Sequence, residues 1–203
     1  MKPALLVATK NKKKLQEIRQ ILKGLNLSIE SLADYSRAPR IIENGRTFKE
    51  NAVKKAVKIA RFSGKLTLGE DSGLCVDALG GKPGIYSSRF SGKDKSDSKN
   101  NLKLLRLLEG LPPKKRKAHY VCAVALADKQ GLLGVVEGRC DGRIAFKLRG
   151  TFGFGYDPLF IIPAYEKTFA ELGSRIKHKI SHRYRGLVKA KEIIRKYIKR
   201  RKK

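Results

Sequence analysis

Ala4-Leu5-Leu6-Val7-Ala8-Thr9 is a short, unbroken apolar run, and polar Lys10-Asn11 follows it at once. Apolar residues then recur at Leu15, Ile18, Ile21/Leu22 and Leu25, the spacing of one helical face, with Gly24 and Asn26 closing it. A buried strand, a polar turn and a helix in that order place the backbone N–H groups of a helix start beside a strand end. That is a geometry that binds anions, and Lys10, Lys12, Lys13 and Lys14 reinforce it.

The same alternation continues along the chain. Residues 28 to 46 read as a second strand and a loop holding Pro39 and Gly45. Thr47 and Glu50 have the spacing of a capping box, and Ala52, Val53, Ala56, Val57 and Ala60 give the next helix its apolar face up to Gly64. Leu66 to Leu68 then leads into Glu70-Asp71-Ser72-Gly73, read as a sharp turn bearing paired acids. Leu102, Leu105 and Leu108 mark another helix, stopped by Gly110 and Pro112-Pro113. His119 to Ala127 reads as a strand, joined through Asp128 to Gly131 in a hairpin with Leu132 to Glu137. From Ser181 a helix carries Leu187, Ala190, Ile194 and Ile198 on one face and ends in a basic tail, about 189–203. Strands alternating with helices, plus one hairpin, predict α/β with a mixed sheet. No repeat and no linker divide the chain, so a single domain over 1–203 is expected.

Charge bounds the partners. Lys plus Arg number 47 against 18 Asp plus Glu, a net charge of +29 that favours nucleotides, nucleic acid or other polyphosphates. The plainer alternative is a highly charged, solvated surface of the kind linked to high working temperature. Cys75, Cys122 and Cys140 show no CxxC spacing and form an odd set, which predicts small buried thiols in a reducing cytosol. No apolar run approaches membrane-spanning length, so a soluble, cytoplasmic protein with no membrane contact is expected. Adjacent acids at a strand end are costly without a cation beside them. Mg²⁺ is the usual answer, being a hard ion that takes oxygen ligands and keeps waters for phosphate substrates. A P-loop is absent, and Gly153-Phe154-Gly155 does not continue to GxGxxG because Pro158 intervenes.

Six segments taken in order carry a resemblance. They are Val7-Ala8-Thr9-Lys10-Asn11 with Lys14 and Glu17, then Glu50-Asn51-Ala52, then Glu70-Asp71-Ser72-Gly73-Leu74 with Val76 to Gly81. Pro83-Gly84-Ile85-Tyr86-Ser87, Gly153-Phe154-Gly155-Tyr156-Asp157-Pro158 and Ser181-His182-Arg183 complete them. Together they resemble the inosine triphosphate pyrophosphatase family, hydrolases of non-standard purine nucleoside triphosphates. The likeness runs from about Leu5 to Arg183, with Lys10 where a small Gly is usual and Glu70 in place of the common first Asp.

The resemblance implies an elongated two-lobed α/β molecule with a long mixed β-sheet flanked by helices, a substrate cleft between the lobes, and a homodimer. It implies hydrolysis of ITP, dITP and XTP to the monophosphate and pyrophosphate, with Mg²⁺ as cofactor. By similarity Thr9, Lys10, Asn11, Lys12, Lys13 and Lys14 bind the triphosphate, Glu43 and Asp71 hold the metal, and Asp71 is the proton acceptor. Ser72 contacts substrate, and Phe154, Gly155, Tyr156, Asp157, Lys177, His182 and Arg183 surround the base. The residue types suit those roles. Phe154 offers a stacking face, and Lys177, His182 and Arg183 are donors matched to a 6-oxo group rather than to adenine's 6-amino group. Two competing readings are a nucleic-acid binder acting through the basic tail and a nucleotide-binding relative without catalysis. The hydrolase accounts for more of the motifs.

Overall fold

The computed structural model describes residues 2–200. Its strands are β1 (Ala4–Val7), β2 (Ser28–Ser31), β3 (Leu66–Val76), β4 (Lys117–Asp128), β5 (Gly131–Ile144), β6 (Phe160–Ile162) and β7 (Lys167–Thr168). Its helices are α1 (Lys12–Leu22), α2 (Phe48–Ser63), α3 (Asp97–Leu107), α4 (Phe169–Ile180) and α5 (His182–Arg200). The seven strands form one sheet in the order β2-β1-β3-β4-β5-β6-β7. β1 runs parallel to both β2 and β3, while β5–β6 and β6–β7 are antiparallel, so the sheet is mixed, as expected. Among the described residues no helix is long and apolar enough to cross a membrane.

Contacts group the chain into two compact units. The first takes the chain up to Asp71, Cys122–Gly138 and the chain from Arg183 onward. The second takes Ser72–Val121 and Arg139–His182.

In the first unit, pleating sorts side chains to two buried faces. Leu5, Val7, Leu66, Leu68, Cys122, Val124 and Leu126 pack with Ile18, Ile21 and Leu22 of α1 and with Leu187, Ala190 and Ile194 of α5. On the other face Leu6 and Ala8 meet Ile59 of α2, and Ala123, Ala125 and Ala127 meet Ala52, Ala56 and Ala60. Each fully buried Leu or Ile contributes about 1.5–3 kcal/mol by leaving water. Alanine against alanine lets α2 lie close to the sheet. In the second unit Leu74, Val76, Tyr120, Phe160 and Phe169 form a core with Leu104 of α3 and Leu108 at its C-cap.

Several local expectations change. Glu70-Asp71-Ser72-Gly73 is not a turn but the middle of an 11-residue strand. Gly69 lies within that strand because α2 crosses directly over it. A Cβ at Gly69 would lie 2.2 Å from the Ala52 carbonyl oxygen and 2.6 Å from the Ala56 amide nitrogen. The capping box before α2 is half formed. Thr47 accepts from the Glu50 amide, but Glu50 reaches back to the Arg46 amide instead of to Thr47. In α3 Asn100, Asn101 and Leu104 are buried and Leu102 is exposed; of the other expected leucines, Leu105 packs partly buried on the core and Leu108, at the C-cap, is fully buried. The basic tail is, up to Arg200, the second half of α5, with Ala190 and Ile194 fully buried. Arg201, Lys202 and Lys203 lie outside the described residues.

Gly69→Ala forces either α2 or β3 to shift, because the clash is with backbone. We expect it to lower unfolding stability by about 1–3 kcal/mol or more in a urea titration. An unchanged midpoint contradicts the close approach.

Candidate active site

Each side of β3 carries its own charged cluster. Neighbouring residues of a strand point to opposite faces, so Glu70 and Asp71 part company although they are adjacent in sequence. Both are buried.

Asp71 faces α2. Its Oδ1 accepts from Lys55 Nζ at 2.9 Å, and its Oδ2 accepts from Asn51 Nδ2 at 3.2 Å. Lys55 Nζ also lies 2.9 Å from Glu43 Oε2 and donates to the Glu70 carbonyl at 3.2 Å. Asn51 and Lys55 are one helical turn apart on the buried side of α2, where their neighbours are Ala52, Ala56 and Ile59. Asn51 Oδ1 in turn accepts from the Gly45 amide at 2.8 Å and so ties down the loop that carries Glu43. Burial pushes the Asp71 carboxyl above its ordinary value, and the attraction of Lys55 and Lys14 only partly offsets this. Burial also works against the Lys55 ammonium, but Asp71 and Glu43 together hold its pKa up.

Glu70 faces the other way. Arg183 Nη2 donates to its Oε1 at 3.0 Å, and Lys14 Nζ lies 3.2 Å from its Oε2. Arg183 Nη1 also donates to Glu17 of α1. The Cys122 thiol lies 3.4 Å from Glu70 Oε1, and burial above all raises its pKa well beyond the ordinary thiol range. Burial works against the Arg183 charge, yet Glu70 and Glu17 outweigh it and hold the guanidinium protonated. A positive residue at the start of α5 opposes the helix dipole, and these two acids supply the compensation.

The β1–α1 connection lies in the same unit. Asn11 caps α1, its Oδ1 accepting from the Lys14 amide at 3.1 Å, and its own amide donates to Thr9 Oγ1 at 3.1 Å. Lys10, Lys12 and Lys13 are exposed, Thr9 and Lys14 partly so. Thr9 to Lys14, Glu43, Asp71 and Arg183 thus all belong to the first unit, with Asp71 and Arg183 on different faces of β3.

The remaining expected residues belong to the second unit. Ser72 is its first residue. Asp157 is buried; its Oδ2 accepts from Lys177 Nζ at 2.7 Å and from the Phe154 amide at 2.8 Å. Lys177 Nζ also sits 4.6 Å from the centroid of the Phe154 ring, within cation–π range. Gly155 adopts a left-handed φ of 64°, which turns the segment over. Tyr156 lies in the core with its hydroxyl donating to the Ser87 carbonyl at 2.9 Å, and burial pushes its phenol up, Asp97 adding to the effect. His182 is buried and stacks on Tyr120 with centroids 4.4 Å apart. Tyr156 and Asp157 are therefore placed as supports of the loop, while Phe154 is half-buried.

Two carboxylates converging on one ammonium make a set of hard oxygen donors that fits Mg²⁺ chemistry. Among the described residues no group of three or more His, Cys, Asp or Glu is placed to hold a metal ion.

A mixed α/β sheet whose first strand runs through a capped turn, beside four lysines, into a helix start is a geometry suited to phosphate groups. The chain belongs to the Ham1 family, whose model matches residues 5–193. It is 47% identical over 190 residues to a dITP/XTP pyrophosphatase of Desulforamulus reducens, covering 94% of each chain. It is 48% identical over 182 residues to one from Halalkalibacterium halodurans, covering 90% of this chain and 94% of that one. The solved structure of a HAM1 protein from Coxiella burnetii superposes with a TM-score of 0.86 at 35% identity, over 96% of this chain and 99% of that one.

Sequence reasoning missed Lys55, whose signal was a lysine within the apolar stripe of α2, one turn from Asn51. It quoted Glu17 in a motif but gave it no task.

Arg183→Met leaves Glu17 and Glu70 buried without their shared cation. The expected loss is about 3–5 kcal/mol of stability, measured by denaturant or thermal unfolding. A variant of wild-type stability contradicts the pairing.

Proposed function

We propose that this chain hydrolyses non-standard purine nucleoside triphosphates of the dITP, ITP and XTP type to the monophosphate and pyrophosphate. The observation that carries the reading is the buried Asp71, converging with Glu43 on one cationic centre. The near-full-length relatives named dITP/XTP pyrophosphatase support it.

Water splits the α–β phosphoanhydride, and its proton passes to the Asp71 carboxylate. A carboxylate placed within hydrogen-bond reach of the attacking water can take its proton. Asn51 fixes the orientation of the Asp71 carboxylate, and Lys55 holds it until the metal takes its place. Lys10, Lys12, Lys13 and Lys14, together with the first amides of α1, offset the phosphate charge. Glu43 and Asp71 would hold Mg²⁺. When bound, the ion supplies charge neutralisation on the phosphate oxygens and acidifies a water.

For the base, Phe154 provides a ring to stack on, and Lys177 is the donor beside it. A buried donor at the 6-oxo position rejects adenine, whose 6-amino group leaves the donor unpaired. His182 is positioned by its stack on Tyr120.

The test is pyrophosphate release across dITP, ITP, XTP, dATP, dGTP, dCTP and dTTP, with and without Mg²⁺. Fast turnover of the first three, dependent on Mg²⁺, is expected. Asp71→Asn should reduce kcat by about 10²–10⁴-fold while the protein remains folded. Equal turnover of every purine triphosphate, or full activity in the variant, overturns the reading.

A further inference from the structure

The backbone of Gly155 is held from both sides by one helix. Its N–H donates to Asp97 Oδ2 at 2.8 Å, and its carbonyl accepts from Asn101 Nδ2 at 2.9 Å. Asp97 and Asn101 stand four residues apart on α3, so they lie on one face of it. Asp97 is exposed, whereas Asn101 is 4% exposed. The Oδ1 of Asn101 is buried without a hydrogen-bond partner. A stranded acceptor is a cost to folding, and a similarly sized apolar residue would avoid it. Asn101 is thus better explained by the donor that it gives to Gly155 than by stability.

The grip extends to both neighbours of Gly155. Asn100, next to Asn101, donates to the Ser87 and Ser88 carbonyls, and the Ser87 carbonyl also accepts from the Tyr156 hydroxyl. Asp157 closes the segment onto the Phe154 amide. Gly155 itself is in a left-handed conformation, which an unrestrained glycine leaves easily.

We propose that Asp97 and Asn101 are positioning residues for base selection: they hold the Gly153–Asp157 segment in its recognition geometry before substrate arrives. The proposal rests on the hydrolase reading above and deepens it. Neither side chain needs to touch the base. Both act through Gly155 on the placement of Phe154 and of the Asp157–Lys177 pair. A pre-set segment favours the right base because it costs no ordering on binding, and it refuses the wrong one because it does not adapt.

The experiment compares wild type with Asp97→Asn, Asp97→Ala and Asn101→Leu. It reads kcat and KM for dITP and dGTP, the thermal midpoint, and exchange of the Gly155 amide proton by NMR. Asp97→Ala should speed Gly155 exchange and lower kcat/KM for dITP by about 10- to 100-fold, chiefly through KM. Its dITP-to-dGTP preference should shrink as well. Asp97→Asn keeps an acceptor and should restore most of both properties. Asn101→Leu should leave the thermal midpoint near that of wild type, since it removes a stranded acceptor while also taking the donor from the Gly155 carbonyl, yet lose preference for dITP. That combination is one that a purely structural role does not produce. Faster Gly155 exchange with unchanged KM and preference overturns the proposal, as does a parallel loss of stability and activity in Asn101→Leu. A wild type that turns over no dITP removes the hydrolase reading and this proposal with it. A selective wild type with unaltered variants removes only the positioning role.

Discussion

Pleating of β3 sends two adjacent acids to opposite sides of a sheet that is covered on both, and the first unit is organised around that split. Glu70 goes to the side of α1 and α5, where Arg183 and Lys14 meet it. Asp71 goes to the side of α2, where Lys55 and Asn51 meet it. Two ionised carboxylates on one face would repel strongly in so dry a setting. Separated by the strand, each acquires its own cations. The arrangement requires β3 to run straight through this point, which in turn requires Gly69 under α2.

Acids are scarce in this chain, and the buried ones among the described residues have defined partners, Asp128 accepting from the Gln130 amide in the β4–β5 turn. Glu17 and Glu70 compensate a guanidinium at a helix start, Asp71 converges with Glu43, and Asp157 orders the Phe154 loop. The surplus positive charge lies mostly outside, where it draws phosphates by long-range attraction without specifying any of them. In the proposed reading, specificity comes instead from short-range contacts: Lys177 beside Phe154, Asp157 bonded to both, and α3 holding Gly155.

Much of this was legible in the residues. The apolar run at Leu5, the capping Thr47 and the closing Gly64 act through local chemistry, and local chemistry is readable from one sequence. So was the mixed α/β sheet, through alternation of strand and helix patterns. What escaped was set by distant partners. Gly69 and Gly73 signal a turn when only neighbours are considered, and only the approach of α2 explains a strand. Lys55 looked like one of many lysines, because burial depends on where a helix docks. Asp97 and Asn101 carried no signal, since their partner Gly155 is more than fifty residues away in the chain. Leu102 fitted a helical period as well as Leu104 did, and the core chose between them.

The most direct test of the split between the two acids is a crystal structure of the protein with Mg²⁺ and a non-hydrolysable inosine triphosphate. Metal density is expected on the Glu43 and Asp71 carboxylates, with Lys55 moved from between them and Glu70 still bonded to Arg183. Metal bound at Glu70, with Asp71 still held by Lys55 and remote from the phosphates, contradicts it.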